Sequence, residues 1–250
     1  MSNHIDYTPP ENIMRDRIVL VTGATRGIGK AVALALAGHG AQVIGLARDK
    51  SALDTLCEEI DALGAPPAFA VQADFEKLDW DAYLQLSLTI HKEFGRLDGL
   101  LHNASLLGQR APIAHYDTMT WHRVMHVNVS AQFLLTRALL PVMQESSDGS
   151  IVFTSSGVGR SGRAYWGAYA VSKFATEGLM EVLADELDQG PIRVNAINPG
   201  ATRTAMRAAA YPGEDPMTLA TPESLAPAYL YLLGPDSHGV SGRSFDAQVR

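Results

Sequence analysis

Residues 18–29 read Ile18-Val19-Leu20-Val21-Thr22-Gly23-Ala24-Thr25-Arg26-Gly27-Ile28-Gly29, and a helical pattern begins at once behind them. The opening run is apolar at consecutive positions, as a strand covered on both faces must be. Glycines at 23, 27 and 29 allow a tight turn, let backbone N–H groups approach a pyrophosphate with no Cβ in the way, and seat the helix close to the strand. The helix N-terminus then faces the anion. A glycine-rich turn is a weak signal alone, and it gains weight here from its place at the first strand-to-helix junction of an alternating chain.

Outward from that turn the alternation is regular. Strands are expected at 17–22, 42–47, 68–73, 97–102, 150–154 and 193–197, with a last short one at 243–246. Helices are expected at 29–37, 50–63, 80–94, 118–145, 164–187 and 222–233. This order predicts a single doubly wound α/β domain of the Rossmann-like kind, a parallel sheet of about seven strands with helices on both faces. Residues 1–14, polar with two prolines, are expected to be a flexible N-terminal segment, and 15–250 to be one domain that includes a substrate loop at about 201–221.

Composition narrows the function classes. The 250 residues carry 20 Lys plus Arg against 27 Asp plus Glu, a net charge of −7, with no basic stripe, so no nucleic-acid or anionic-membrane partner is expected. The single cysteine, Cys57, can form no internal disulfide and reads as a small packed hydrophobe. The N-terminus lacks the apolar stretch of a signal peptide, and the longest apolar window, 31–47, is broken by Gly38, His39, Gly40 and Gln42, so a cytoplasmic protein is expected.

Charge near the adenosine ribose selects the cofactor. An NAD site wants an acid at the end of the second strand for the ribose 2′-OH, whereas a 2′-phosphate needs cations. Here the strand ends Leu46-Ala47-Arg48, and Arg26 sits inside the glycine turn. Asp49 reads more simply as the N-cap of the next helix than as a ribose ligand. NADP(H) is therefore the expected cofactor. Further along, Tyr169 and Lys173 are four apart on a helical stretch and share one face. An ammonium beside a phenol is expected to lower its pKa from about 10 towards working pH, as general acid–base chemistry needs. Ser156 follows the fifth strand, at the edge of the sheet where open α/β folds bind ligands.

The ordered set Thr22-Gly23-x₃-Gly27-x-Gly29, Asn103-Ala104, Asn128, Ser156, Tyr169-x₃-Lys173 and Pro199-Gly200-x₃-Thr204 resembles the short-chain dehydrogenase/reductase family, in its branch of about 250-residue chains, over roughly residues 15–247. The segments 102–108 and 203–207 look most like a bacterial group of oxidoreductases within it. The resemblance implies an enzyme that transfers hydride between NADP(H) and a small-molecule carbonyl or secondary alcohol. Its implied catalytic residues are Asn128, Ser156, Tyr169 and Lys173. Ser156 would hold the substrate oxygen, Tyr169 would exchange its proton, Lys173 would bind the nicotinamide ribose and tune the tyrosine, and Asn128 would hold a water leading to solvent. The implied cofactor contacts are Gly23, Thr25, Arg26, Gly27, Ile28, Gly29, Arg48, Asp74, Phe75, Asn103, Ala104, Tyr169, Lys173, Pro199, Gly200, Thr202 and Thr204.

Two departures from the family pattern stand out. His102-Asn103-Ala104-Ser105 replaces the usual Asn-Asn-Ala-Gly, so a Cβ at 105 narrows the space where backbone would meet cofactor, and Asp246-Ala247-Gln248 replaces the usual Asp-Gly-Gly. No metal site is expected: His122 and His126 are four apart but lack the Glu of a zinc-protease helix and a third ligand nearby. Tyr165 and Trp166 could line a substrate pocket or pack between protomers. The alternative readings are a non-catalytic NADP-binding regulatory or scaffold protein, which has no use for a proton-transfer pair, and an NAD-linked alcohol dehydrogenase, which Arg26 and Arg48 disfavour. A homodimer or homotetramer is expected, because 118–145 and 164–187 carry more apolar positions than one sheet face needs.

Overall fold

The computed structural model describes residues 4–249. Seven parallel strands, Ile18–Thr22 (β1), Gln42–Ala47 (β2), Phe69–Gln72 (β3), Gly99–His102 (β4), Gly149–Thr154 (β5), Ile192–Asn198 (β6) and Arg243–Asp246 (β7), make one sheet in the order β3-β2-β1-β4-β5-β6-β7. The strand order reverses at β1, which pairs with β2 on one side and β4 on the other. That reversal leaves a crevice at the carboxyl ends of β1 and β4, where open α/β sheets bind ligands.

The helices are Gly27–Gly38 (α1), Lys50–Ala62 (α2), Trp80–Phe94 (α3), Thr118–Met125 (α4), Ala131–Met143 (α5), Gly167–Glu186 (α6), Ala205–Ala210 (α7) and Pro222–Leu233 (α8). The unbroken apolar run of β1 follows from burial on both faces. Ile18 and Leu20 pack into one core with Leu135, Leu139 and Met180 of α5 and α6, while Val19 and Val21 pack into the other with Leu36, Tyr229 and Leu233 of α1 and α8. Each such aliphatic side chain contributes roughly 1.5–3 kcal/mol by leaving water. Local signals set the helix starts as expected. The Asp49 side chain caps α2 by accepting from Ala52 N–H at 3.2 Å, and Asp79 caps α3 through Ala82 N–H at 2.9 Å.

Two expectations are corrected. The stretch 118–145 is not one regular helix: a π-helical turn, His126–Ser130, separates α4 from α5 and carries Asn128. Such insertions re-aim a side chain at functional sites. The N-terminal segment expected to be flexible is packed from His4 onward, and residues 1–3 of it lie outside the described residues. His4 bridges Asp246 in parallel, so the segment covers the β7 edge. Tyr7 packs on Tyr231 with ring centroids 5.3 Å apart and donates to Asp236 at 2.8 Å, and Met14 is fully buried in the α1–α8 core. The sequence looked loose there because its few apolar residues have no periodicity of their own. They fill gaps left by other elements.

At the opposite end of the sheet from the crevice, charged side chains tie strands that no turn connects. Arg17 donates to Asp148 at 2.7 Å, Arg193 bonds the other oxygen of the same carboxylate, and Arg193 also reaches Ser237 and the Gly234 carbonyl. Burial alone would raise the Asp148 pKa, but the Arg193 and Arg17 guanidiniums hold it below the usual carboxylate range. Removing that carboxylate leaves two guanidiniums facing each other, one of them almost fully buried. Asp148→Ala is expected to lower the unfolding free energy by roughly 3 kcal/mol in urea titrations, with a further Arg17→Met change costing less in that background than alone. Because the folded-state pKa is depressed, the wild-type advantage is full above about pH 4 and shrinks as pH falls below it.

Candidate active site

The crevice is closed at its floor by one hydroxyl. Thr22 Oγ1 donates to the Leu101 carbonyl at 3.1 Å and accepts from the Asn103 and Ala104 N–H groups at 2.9 and 3.0 Å, so the ends of β1 and β4 are stitched together. The Asn103 amide donates to the Thr22 carbonyl at 3.2 Å and lies 3.5 Å from that of Gly23. It holds the glycine turn from below. A Cβ on Gly29 would stand 2.2 Å from the Gly23 carbonyl oxygen and 2.5 Å from the Asn103 amide nitrogen, so no other residue fits there. Thr25 and Ile28 are partly buried in this turn, and Ala104 is partly buried beneath it.

These residues fit a dinucleotide on two observations. Arg26, the N-cap of α1, is extended and no side chain caps the helix, so the first-turn N–H groups are left to a ligand. Ser105, where the family pattern has glycine, buries its hydroxyl with no partner among the described residues, an orphan that a ligand group above the turn would satisfy. His102 turns away from the site into the core. It stacks on Phe153 with centroids 4.6 Å apart, meets Thr136 Oγ1 at 2.8 Å, and is held neutral, its pKa pushed down to about 3 by burial and by the charge of Lys173.

The cationic rim lies beside the turn, since the Gly23 N–H bonds the Leu46 carbonyl at the end of β2. Arg26 and Arg48 are both exposed. Arg48 stands 3.5 Å from Glu76, a carboxylate already gripped by the Arg123 fork at 2.7 and 3.0 Å, and that fork holds Glu76 below the usual carboxylate range. Arg48 is thus only loosely paired. Asp74 accepts from the Glu76 N–H at 3.2 Å and lies at the end of β3 as expected. At Phe75 the ring is buried against Tyr83, centroids 6.3 Å apart, and the carbonyl bonds His126 at 2.9 Å, so any contact with a cofactor would be made by its backbone.

Tyr169, Lys173 and Ser156 come together on the far wall. Ser156 lies close enough to the Tyr169 phenol for its hydroxyl to pull the phenol pKa down. Lys173 is 1% exposed, its Nζ donating to the Thr154 carbonyl at 2.7 Å and lying 5.6 Å from the Tyr169 ring centroid. The expected lowering of the tyrosine is corrected. Burial pushes Tyr169 up to about 12, with the Ser156 hydrogen bond only partly offsetting it. The group brought towards working pH is the lysine, which burial pushes down to about 8 against the opposing charge of Glu177. The ammonium bonds the Thr154 carbonyl and lies 5.6 Å from the ring centroid, and its attraction for a phenolate does not outweigh the burial of the phenol.

Asn128 has no exposed surface. Its side chain accepts from the Leu106 N–H at 2.8 Å and donates to the Leu106 carbonyl at 2.9 Å and to Ser172 Oγ at 3.0 Å. It couples the loop after β4 to the helix bearing Tyr169 and Lys173, and it has no amide proton left for a water.

The third wall follows β6. Asn198 Oδ1 accepts from the Gly200 N–H at 3.1 Å, and the Gln248 amide donates to the Pro199 and Ala201 carbonyls at 2.6 and 3.1 Å. Gln248, which stands where the family pattern has glycine, thus ties the segment after β6 to the end of the chain by side-chain bonds. Thr202 Oγ1 lies 3.4 Å from the Pro199 carbonyl. Thr204 caps α7 through Arg207 N–H at 3.1 Å and faces the turn, its methyl 3.3 Å from where a Cβ on Gly27 would sit. Sequence reasoning missed Gln248, and also Arg160 and Glu177, which link Ser155 and the β7 residues Ser244 and Asp246. Glu177 could have been found from its place four residues after Lys173. The other two contacts depend on β7 docking beside β6.

A family profile described as short chain dehydrogenase matches residues 17–215. The uncharacterized oxidoreductase YciK of Escherichia coli (strain K12) is 50% identical over 243 residues, 97% of this chain and 96% of that protein. A short chain dehydrogenase from Shigella flexneri 2a, solved in complex with NADP, superposes with a TM-score of 0.94 at 49% identity, covering 96% of this chain and 100% of that one. A short chain dehydrogenase from Escherichia coli CFT073, solved in complex with NADPH, has a TM-score of 0.94 at 50% identity with the same coverage. A profile match over most of the chain and a half-identical relative matched nearly end to end make this protein an oxidoreductase of the short-chain dehydrogenase family.

Proposed function

We propose that the protein transfers hydride between NADP(H) and a carbonyl or secondary alcohol, with Tyr169 exchanging the proton. The observation that carries this reading is the convergence of Ser156, Tyr169 and Lys173 at the carboxyl edge of the sheet, beside a glycine turn whose N–H groups are left for an anion. Bound NADPH supplies hydride to the carbonyl carbon. Gly23, Gly27 and the first turn of α1 would hold its pyrophosphate, Arg26 and Arg48 the 2′-phosphate, and Thr204 the nicotinamide end. The two solved relatives bound to NADP and NADPH support that choice of cofactor.

In the reductive direction Ser156 donates to the substrate oxygen and Tyr169 passes it a proton. A phenol with its pKa near 12 stays protonated across the physiological range, so the proton is in place at Tyr169 and its transfer depends on how well the phenolate is stabilised. Lys173 then works as charge: its ammonium stabilises the phenolate left behind, and its pKa near 8 makes that charge the pH-sensitive element. Asn128 is a positioning residue, fixing α6 against the loop after β4.

Helices α5 and α6 also present Phe133, Val171, Phe174 and Val182 to solvent, the last three in one stripe at helical spacing. A second copy covering that stripe is the assembly we propose.

Tyr169→Phe is expected to lose at least about 10²-fold in kcat while keeping its NADPH affinity, measured by steady-state kinetics and by fluorescence titration. The wild-type kcat/KM for reduction is expected to fall as pH rises through about 8, where Lys173 loses its proton, and Lys173→Arg, whose charge persists, is expected to move that limb upward. Full turnover in Tyr169→Phe would remove the proposed proton donor. Arg48→Ala is expected to weaken NADPH roughly tenfold with NADH nearly unaffected, and tighter NADH binding by the wild type would overturn the cofactor assignment. Light scattering at micromolar concentration is expected to report at least a dimer, with Phe174→Glu shifting it towards the 26.9 kDa monomer.

A further inference from the structure

Around Tyr169 the packing is apolar. Val158, Trp166 and Ala210 pack around the Tyr169 ring, with Leu107, Met206 and Tyr211 at the margin. Trp166 is buried, its centroid 5.7 Å from that of Tyr169 and 5.9 Å from that of Tyr211. Over this aromatic pair lies a guanidinium: Arg110 Cζ is 4.8 Å from the Trp166 centroid and 5.0 Å from that of Tyr211.

A second guanidinium on the same ring makes the contrast. Arg207 stacks on Tyr211 at 3.9 Å, and its charge is matched by a two-pronged bond to Glu214, both contacts 2.6 Å. Arg110 has no carboxylate within ion-pair distance among the described residues. Its one hydrogen bond to the protein is from Nη1 to the Ala210 carbonyl, at the end of α7. Arg110 is exposed, and the remaining N–H groups of its fork, a geometry suited to oxyanions, have no protein partner among the described residues.

The loop that carries Arg110 is rigid where it matters. Tyr116 is wedged between two glycines, since a Cβ on Gly108 would come 2.6 Å from its hydroxyl and one on Gly167 2.2 Å from its ring. Its hydroxyl also accepts from the Gln109 N–H at 3.2 Å, and the Asp117 N–H bonds the Gln109 side chain at 3.2 Å. Arg110 and Trp166 are therefore fixed relative to each other by the same tyrosine, at the start of the helix that bears Tyr169 and Lys173. A preorganised, unpaired guanidinium on aromatic faces near a proton donor is a means of choosing substrates.

We propose that Arg110 is a specificity residue and that the substrate is an amphiphilic acid: a carbonyl or alcohol whose apolar body lies on Trp166 and Tyr211 and whose carboxylate is taken by the Arg110 fork. This rests on the reaction proposed above and adds the substrate class to it.

The test uses para-carboxybenzyl alcohol and its methyl ester, which share a body and differ in charge. Binding of each is measured by calorimetry to the full-length protein, with NADPH, where no hydride transfer to an alcohol can occur, and again without it. The acid is expected to bind at least about tenfold tighter than the ester, the usual scale for a charge-assisted pair. In Arg110→Met that ratio is expected to fall to near one, while Arg110→Lys, which keeps the charge but loses the fork, retains part of it. Equal binding of acid and ester by the wild type, or a ratio that survives in Arg110→Met, overturns the proposal. Reduction of para-carboxybenzaldehyde by NADPH, with Tyr169→Phe beside it, separates the two readings. Arg110-dependent acid binding without reduction leaves the anion site standing and removes the reaction. Tyr169-dependent reduction with no preference for the acid over its methyl ester does the reverse.

Discussion

Thr22 makes three hydrogen bonds with one hydroxyl, to the Leu101 carbonyl and from the N–H groups of Asn103 and Ala104, and the site is laid out around that junction. Strands β1 and β4 are neighbours in the sheet, but their chains leave it on opposite faces, so without a side chain the backbone groups just past the strand ends would face one another unpaired. Buried backbone donors without partners are costly, roughly 1–3 kcal/mol each. The threonine satisfies them and thereby fixes the distance between the glycine turn and the loop after β4. Asn103 continues the same stitch upward to the Thr22 carbonyl, and Gly29 closes against Gly23 and Asn103 with no room for a Cβ. The loop after β4 then carries the constraint outward, because Leu106 is bound by Asn128 and Asn128 is bound to Ser172 of α6. Through this one chain of contacts the turn, the loop and the helix bearing Tyr169 share a frame.

Within that frame burial decides the electrostatics. Tyr169 and Lys173 share a helix face, yet desolvation acts on both in the direction that disfavours charge, raising the phenol and lowering the amine. Their mutual influence depends on where the ammonium points, and here it points to the Thr154 carbonyl. The strand end that positions Ser156 thus also positions the lysine. Glu177, one turn further along α6, opposes the effect of burial on Lys173 while being tied to Ser155, Arg160 and Ser244. The charge of the lysine is therefore linked mechanically to the docking of β7.

The fold was legible because its signals are local and redundant. The apolar runs of β1, β2 and β5, the cap at Asp49 and the glycine spacing each state the same alternation, and the observed strand ends differ from expectation by at most two residues. Ser156, Tyr169 and Lys173, which the structure brings together, could be picked out through their order along the chain. What stayed hidden required contacts between distant segments. A periodicity of 3.6 cannot announce a π turn, because the inserted residue changes the register without changing composition, and so Asn128 reads as one more helical position. Phe75 lies beside an aspartate at a strand end, where backbone and side chain serve different neighbours, and only the observed stacking on Tyr83 tells which part faces the site. The direction of the tyrosine shift was also out of reach, since spacing gives the proximity of two groups and not the depth at which they lie.

The walls of the site are held by different forces, and this bears on how it works. The glycine turn and the proton-transfer pair stand on apolar cores that bury both faces of the sheet. The stretch from Gly200 to Thr221 is braced internally by polar clips, Arg203 on the Pro216 carbonyl and Arg207 on Glu214, and is joined to the rest by Gln248 on the Pro199 and Ala201 carbonyls, by Arg110 on the Ala210 carbonyl and by the packing of Met206, Ala210 and Tyr211 beside Tyr169. Each clip exchanges hydrogen bonds with water when it opens and contributes on the order of 1 kcal/mol net, whereas moving a core helix would expose several aliphatic side chains at roughly 1.5–3 kcal/mol each. Opening is cheaper at this stretch than at a core helix, and its Met217 is 71% exposed. On the reaction proposed above, a substrate would be admitted by releasing a few such bonds while the geometry between the glycine turn, Ser156 and Tyr169 stays fixed, so that access and alignment would be governed by separate parts of the same chain.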